Sequence, residues 1–166
     1  MRFLILSLFL ALSLVWSNNL SSSLKKAPSF VLLNNKNQYV YKSKLKGNLI
    51  IAFWASYCLP CLNEIPELIK LEKKYAFSKK LKLVLINVDV DNQDGKAIEK
   101  ANEALAGKGI KHDFLLDLYH KTIERYHKSK KVPLTFLVNK KGYILFKSTG
   151  MTSKKMKILE QKIKKL

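Results

Sequence analysis

Phe53-Trp54-Ala55-Ser56-Tyr57-Cys58-Leu59-Pro60-Cys61-Leu62-Asn63-Glu64-Ile65-Pro66 joins two different hydrophobic patterns. Before it, Leu49 to Trp54 is an unbroken apolar run that follows the Lys46-Gly47-Asn48 turn. That is the pattern of a central strand covered on both faces. From Cys58 onward the period changes: Leu62, Ile65 and Ile69, with Leu68, Leu71 and Tyr75, recur at helical spacing. Pro66 lies inside this pattern and is expected to kink the helix rather than end it. The two cysteines therefore stand where a buried strand hands over to a helix.

A thiol at such a junction meets unpaired backbone N–H groups and the positive end of the helix dipole. Both favour thiolate over thiol, so Cys58 is expected to ionise below the free value of about 8.5 and to attack disulfides. Cys61, one turn on, is expected to be buried and to resolve the mixed disulfide. Pro60 stiffens the loop between the two sulfurs. These are the only cysteines in 166 residues. The loop they close is too short to remove much unfolded-state entropy, which argues against a purely structural staple. A lone C-x-x-C is also half a zinc site, but His112, His120 and His127 have the wrong spacing to complete one, so no metal is expected.

Outward from the motif, Phe30 to Leu33 and Gln38 to Tyr41 read as a hairpin around Asn34-Asn35-Lys36-Asn37. Leu81 to Val90 is a second buried strand. Ile98, Ala101 and Leu105 mark a helix that stops at Gly107. Phe114 to Leu116 is a short strand, and Tyr119, Ile123 and Tyr126 mark another helix. Leu134 to Val138 and Tyr143 to Lys147 form a hairpin around Asn139-Lys140-Lys141-Gly142. Met156, Leu159, Ile163 and Leu166 face inward on a closing helix. The order predicts an α/β domain over 27–166: a mixed central β-sheet flanked by helices, with an N-terminal β-hairpin extension.

Arg2 followed by the apolar run Phe3 to Val15 and Val15-Trp16-Ser17 has the form of a secretory signal. Residues 1–17 are read as a signal peptide cleaved after Ser17, or as an uncleaved N-terminal membrane anchor. The run is shorter than the roughly 20 residues that span a bilayer. Residues 18–26 read as a polar tether. Either way the domain is expected to lie in the periplasm or otherwise outside the cytoplasm, where a dithiol stays reduced only if something keeps reducing it. The chain carries 31 Lys and Arg against 12 Asp and Glu, a formal +19. Arg2 and Arg125 are the only arginines, and no nucleic-acid-binding motif is present. The excess lysine reads either as a solvated basic surface or as a surface for an anionic partner or membrane.

Phe53 to Cys61 resembles the active-site signature of thioredoxins. More narrowly, it is similar to the exported thiol:disulfide oxidoreductases of the TlpA/ResA type, which include reductases serving cytochrome c maturation. Three further segments carry the resemblance: Ala27-Pro28-Ser29-Phe30 with Leu45-Lys46-Gly47-Asn48, Cys61-Leu62-Asn63-Glu64-Ile65-Pro66, and Val132-Pro133-Leu134-Thr135-Phe136-Leu137-Val138. The resemblance implies a thioredoxin fold with a redox-active Cys58–Cys61 pair. Pro133 is then a cis-proline beside the disulfide, turning the Val132 backbone toward Cys58 to hold a substrate strand. Glu64 is then the acid that exchanges protons with Cys61. Trp54, Tyr57, Leu59 and Pro60 would flank the site on the substrate side. Pro133 also reads as a trans proline opening an edge strand, Glu64 as a helix-surface residue, and the two aromatics as ordinary packing. Ala52 replaces the buried Asp of cytoplasmic thioredoxins. Leu134 and Lys131 depart from common residues at positions expected to line the substrate groove.

The expected activity is reduction of a partner disulfide, such as one in apocytochrome c, with electrons from a membrane thiol donor. No cofactor is required, and the chain is expected to act as a monomer. An oxidant or isomerase of the same fold is the nearer alternative, but Val90 to Phe114 leaves no room for a large helical insertion. A copper or haem carrier using the thiol pair, with Met151 and Met156 as added sulfur ligands, is the more distant one. A peroxidase is disfavoured, because Arg125 lies far along the chain from the cysteines.

Overall fold

The computed structural model describes residues 24–89 and 96–166. The expected signal or anchor segment 1–17, the first six tether residues and the expected strand end at Val90 lie outside the described residues. The strands are β1 (Val31–Asn34), β2 (Tyr39–Tyr41), β3 (Asn48–Trp54), β4 (Leu81–Asn87), β5 (Phe114–Leu116), β6 (Leu134–Val138) and β7 (Ile144–Thr149). The α-helices are α1 (Leu59–Tyr75), α2 (Ala97–Ala106), α3 (Lys121–Tyr126) and α4 (Ser153–Lys164). They build one seven-stranded sheet in the order β2-β1-β5-β4-β3-β6-β7. β3, β4 and β5 run parallel; β1, β6 and β7 pair antiparallel with their neighbours. This is the thioredoxin-like α/β fold with its opening hairpin.

The unbroken apolar run became β3, every residue of which is buried. Its neighbours on both sides are hydrogen-bonded strands, so its whole backbone ladder is satisfied away from water. Ile50 and Ile51 are fully covered, each worth about 1.5–3 kcal/mol of apolar burial. Because β3 and β4 are parallel, their carboxyl ends share one edge of the sheet, and the chain leaves β3 there to start α1. Pro66 lies within α1, which continues to Tyr75. Among the described residues no helix is long and apolar enough to cross a membrane.

Several local expectations change. Order begins earlier than residue 27: Lys26 bridges Tyr143, and the Ile144 N–H donates to the Lys25 carbonyl (2.9 Å). The last tether residues thus lie along the β7 edge. Tyr119 is not on the inward face of α3 but is 82% exposed. The helix starts two residues later, after His120 adopts a left-handed φ of 57°. The N–H groups of Thr122 and Ile123 then donate to the Asp117 carboxylate (3.1 and 2.7 Å). On α4, Leu159 and Ile163 are buried and Met156 is only half-buried, while Leu166, also half-buried, lies beyond the helix end.

Candidate active site

Cys58 is the N-cap of α1. Its Sγ accepts the Cys61 N–H at 3.3 Å, one of the helix's otherwise unpaired first-turn donors. Pro60 stands in the first turn, where its missing N–H costs nothing. The two cysteines form a disulfide with an S–S length of 2.05 Å and Cα atoms 5.2 Å apart. Cys58 is 8% exposed and Cys61 1%, so the sulfur nearer the surface is that of the first cysteine. Tyr57, Leu59 and Pro60 are exposed around it.

The loop before Cys58 is held by a residue the sequence did not single out. The Ser56 N–H donates to both oxygens of buried Asp89 (2.9 and 3.2 Å), and Asn87 Nδ2 donates to Asp89 Oδ2 (3.0 Å). The turn between β3 and α1 is thereby tied to the carboxyl end of β4. Two acidic or amide residues ending an apolar strand, Asn87 and Asp89, were the available signal. Trp54, expected on the substrate side, is 1% exposed and packs edge-to-face on Phe114 with ring centroids 5.7 Å apart. It supports the site from within the core and is shielded from any substrate.

Glu64 projects from the second turn of α1 and is buried. Burial disfavours its charged form and pushes its carboxyl up to about 7, against the opposing pull of the Thr135 hydroxyl, the Met151 N–H and the Lys155 ammonium. Thr135 Oγ1 donates to Glu64 Oε1 at 3.3 Å. Thr135 is the cross-strand partner of Ala52, so a polar group adjoins the position where the resembled thioredoxins carry Asp. A hydroxyl inside the apolar run Leu134 to Val138 was the clue to it. Pro60, Glu64, Met151, Lys155 and Met156 border a groove of about 700 Å³ between α1 and the start of α4. Among the described residues no cluster of three or more His, Cys, Asp or Glu side chains is gathered for a metal.

Val132–Pro133 is a cis peptide. Pro133 immediately precedes β6, whose Leu134 pairs with Phe53 of β3, so the cis bond lies at the same sheet edge as the disulfide. Val132 and Pro133 are half-buried and Lys131 is exposed. Leu134, expected in the groove, is instead fully buried, because both faces of β6 are covered. The structure thus brings Cys58, Cys61, Tyr57, Leu59, Pro60, Glu64, Val132 and Pro133 to one edge and leaves Trp54 beneath it.

The family model described as the AhpC/TSA family matches residues 24–147. The chain belongs to the AhpC/TSA family. It is 28% identical over 131 residues to the thiol-disulfide oxidoreductase ResA of Bacillus subtilis (strain 168), covering 78% of this chain and 69% of that protein. It is 29% identical over 143 residues to the ResA of Bacillus thuringiensis (strain Al Hakam), covering 86% and 77%. The solved thiol-disulfide oxidoreductase from Bacteroides fragilis NCTC 9343 superposes with a TM-score of 0.68 at 25% identity, covering 84% of this chain and 99% of that one. This AhpC/TSA member is a thioredoxin-like thiol–disulfide oxidoreductase of the ResA type.

Proposed function

We propose that this oxidoreductase works outside the cytoplasm as a reductase of partner-protein disulfides, such as that of an apocytochrome c. Residues 1–17 would serve as its export signal or membrane anchor, and the folded domain would follow the tether. The observation that carries this reading is a disulfide at the N-terminus of α1 with a buried carboxyl, ionising near neutrality, one turn further along the same helix.

In the reduced protein, the Cys58 thiolate attacks one sulfur of the substrate disulfide. A mixed disulfide forms and the other substrate sulfur leaves as thiolate. Cys61 loses its proton to the Glu64 carboxylate and attacks Cys58 Sγ. The second substrate thiolate is released, and the Cys58–Cys61 disulfide seen here is the product. Two electrons have passed to the substrate, and a dithiol donor at the membrane must return them. The cis Val132–Pro133 edge offers main-chain groups to an extended substrate segment. Tyr57, Leu59 and Pro60 supply the exposed apolar contact.

Cys61→Ser tests this reading directly. It removes the resolving thiol and leaves Cys58, so mixed disulfides at Cys58 should accumulate and identify the substrate. Failure of any to accumulate in the compartment that holds the protein would defeat the reductase reading. The redox potential sets the direction: about −270 mV fits a reductase and about −120 mV an oxidant.

A further inference from the structure

We propose that the end of the sheet opposite the disulfide is a docking surface for anionic lipid headgroups. Three chain turns meet there: residues 44–48 before β3, 76–80 before β4, and 139–143 between β6 and β7. Their sequences contain Lys44, Lys46, Lys79, Lys80, Lys140 and Lys141 and no Asp or Glu. They are fixed to one another. The Asn48 N–H donates to the Lys80 carbonyl (3.0 Å), Asn48 Nδ2 to the Lys79 carbonyl (2.6 Å), and the Lys140 N–H to Asn48 Oδ1 (2.7 Å). Gly47 is required for this closeness: a Cβ there would lie 2.2 Å from the Lys80 carbonyl oxygen. The lysines are therefore presented by a rigid base rather than by loose loops.

Lys46, Lys73, Lys80 and Lys82 border a cavity of about 560 Å³, large enough for a phosphate headgroup. Glu72 also lines it, but its two oxygens are committed to the Leu83 N–H and to His112. Beside these lysines stands Phe77, 99% exposed. A fully exposed phenyl ring costs solvation and has no structural task here. An aromatic ring among lysines is the arrangement that enters a membrane interface, the ring in the acyl boundary and the ammonium groups on the phosphates. The length of the preceding chain permits this. The Ala27 N–H donates to the Gly142 carbonyl of the 139–143 turn (2.9 Å), Lys26 and Lys25 continue along the start of β7, and residues 16–24 can reach about 30 Å when extended. That length lets an apolar run anchored in a membrane and this surface meet the same membrane. The disulfide, beyond the far end of the seven-residue β3, would face away from the membrane by about 20 Å or more.

The test is binding of the full chain to vesicles of phosphatidylcholine alone and of phosphatidylcholine with one third phosphatidylglycerol. The apolar N-terminal run contributes to both, so the ratio of the two affinities reads the lysine surface. The ratio should be about 100-fold or more at low salt and fall as salt rises. The variant K46E/K82E/K140E/K141E should bring it near one, since each lysine at such a surface is worth about five-fold. Phe77→Ser should weaken binding to the anionic vesicles about ten-fold with an unchanged salt dependence. Turnover of a small soluble disulfide substrate should be unaltered in both variants, which checks their folding. Should the charge-reversed chain not fold, Phe77→Ser, at a wholly exposed position, still decides. Equal affinity for the two vesicle types overturns the proposal. So does an unchanged affinity of Phe77→Ser, and displacement by soluble polyglutamate would then mark a surface for an acidic protein.

Discussion

Glu64 and Glu72 lie on the same helix a little over two turns apart, both turned away from solvent, yet their carboxyls are driven in opposite directions. Burial raises both. At Glu64 little opposes it: one hydroxyl at 3.3 Å, one backbone N–H and a lysine charge, and the carboxyl rises to about 7. At Glu72 burial is again the largest single influence, but the His112 imidazole at 3.1 Å and the Leu83 N–H at 2.7 Å, with the charges of His112 and Lys73, outweigh it. Glu72 is accordingly held below the usual carboxylate range. Burial alone therefore does not set the protonation state. What sets it is whether a charged donor shares the site. The end of α1 that carries the sulfurs keeps a carboxyl able to exchange a proton at neutral pH, and the other end uses its carboxylate to fasten α1 to β4.

The largest expected effect comes from removing the charge that Glu64 must bury. A carboxyl whose folded pKa lies above its unfolded value binds its proton more tightly in the native state. It is stabilising when protonated, and that advantage is lost as pH rises from about 4.5 to about 7. Glu64→Gln keeps the acceptor and never ionises. The variant should match the wild type below about pH 4.5 and exceed its stability at pH 8 by up to about 3 kcal/mol. Urea unfolding of the oxidised proteins at the two pH values measures this. Resolution of the mixed disulfide by Cys61 should slow in the same variant, because the proton acceptor is gone.

Glu72→Ala tests the other half of the comparison. It strips the acceptor from the Leu83 N–H and from His112, at a cost of about 2 kcal/mol. His112 is buried, which lowers its pKa, but the Glu72 hydrogen bond, the Asp113 carbonyl and the neighbouring acid charges raise it overall. The stabilisation from a raised histidine is complete below its unfolded pKa of about 6.5 and fades as pH climbs through the folded value. That from the depressed Glu72 is complete above about 4.5 and fades as pH falls through its folded value. Both are in force between about pH 4.5 and 6.5. The deficit of Glu72→Ala should therefore be larger at pH 5.5 than at pH 8.5, in the same unfolding assay. An equal deficit at both would mean that His112 is neutral at both and meets the Glu72 carboxylate as a neutral imidazole.

How much of this was legible beforehand differs between the two ends of α1. The strand-to-helix junction was readable because an all-apolar run followed by helical spacing leaves few alternatives, and the cysteines sit at the change of period. β5 and β6 have the bounds their apolar runs predicted. Trp54 was misplaced because a residue ending a buried strand beside a motif faces either the site or the core, and one sequence does not say which. Here Phe114 from β5 covers it. Leu134 was misplaced for the same reason. The partners of Asp89 and of Thr135, and the Glu72–His112 pair, were not legible: a polar residue in an apolar run marks a position but not what it will touch. Each acts across strands or between helix and loop, at separations of 33 to 71 residues, and local pattern carries no information at that range.

The smallest expected effect is the most discriminating for Glu64. Thr135→Val replaces the hydroxyl that donates to Glu64 Oε1 with a methyl group of similar shape, buried against Ala52. The lost donor favoured the ionised carboxylate, so the Glu64 midpoint should move further above 7, by a small amount. The shift is kept small by the 3.3 Å length of the contact, long for an O–H···O bond. Carbon-13 NMR titration of the Glu64 carboxyl in the oxidised protein measures it without interference from the thiols. An unmoved midpoint would leave the Met151 N–H and Lys155 as the only brakes on desolvation. A midpoint that fell would mean that Thr135 donates elsewhere and accepts its hydrogen bond from a protonated Glu64, reversing the direction of the contact on which the proton exchange is built.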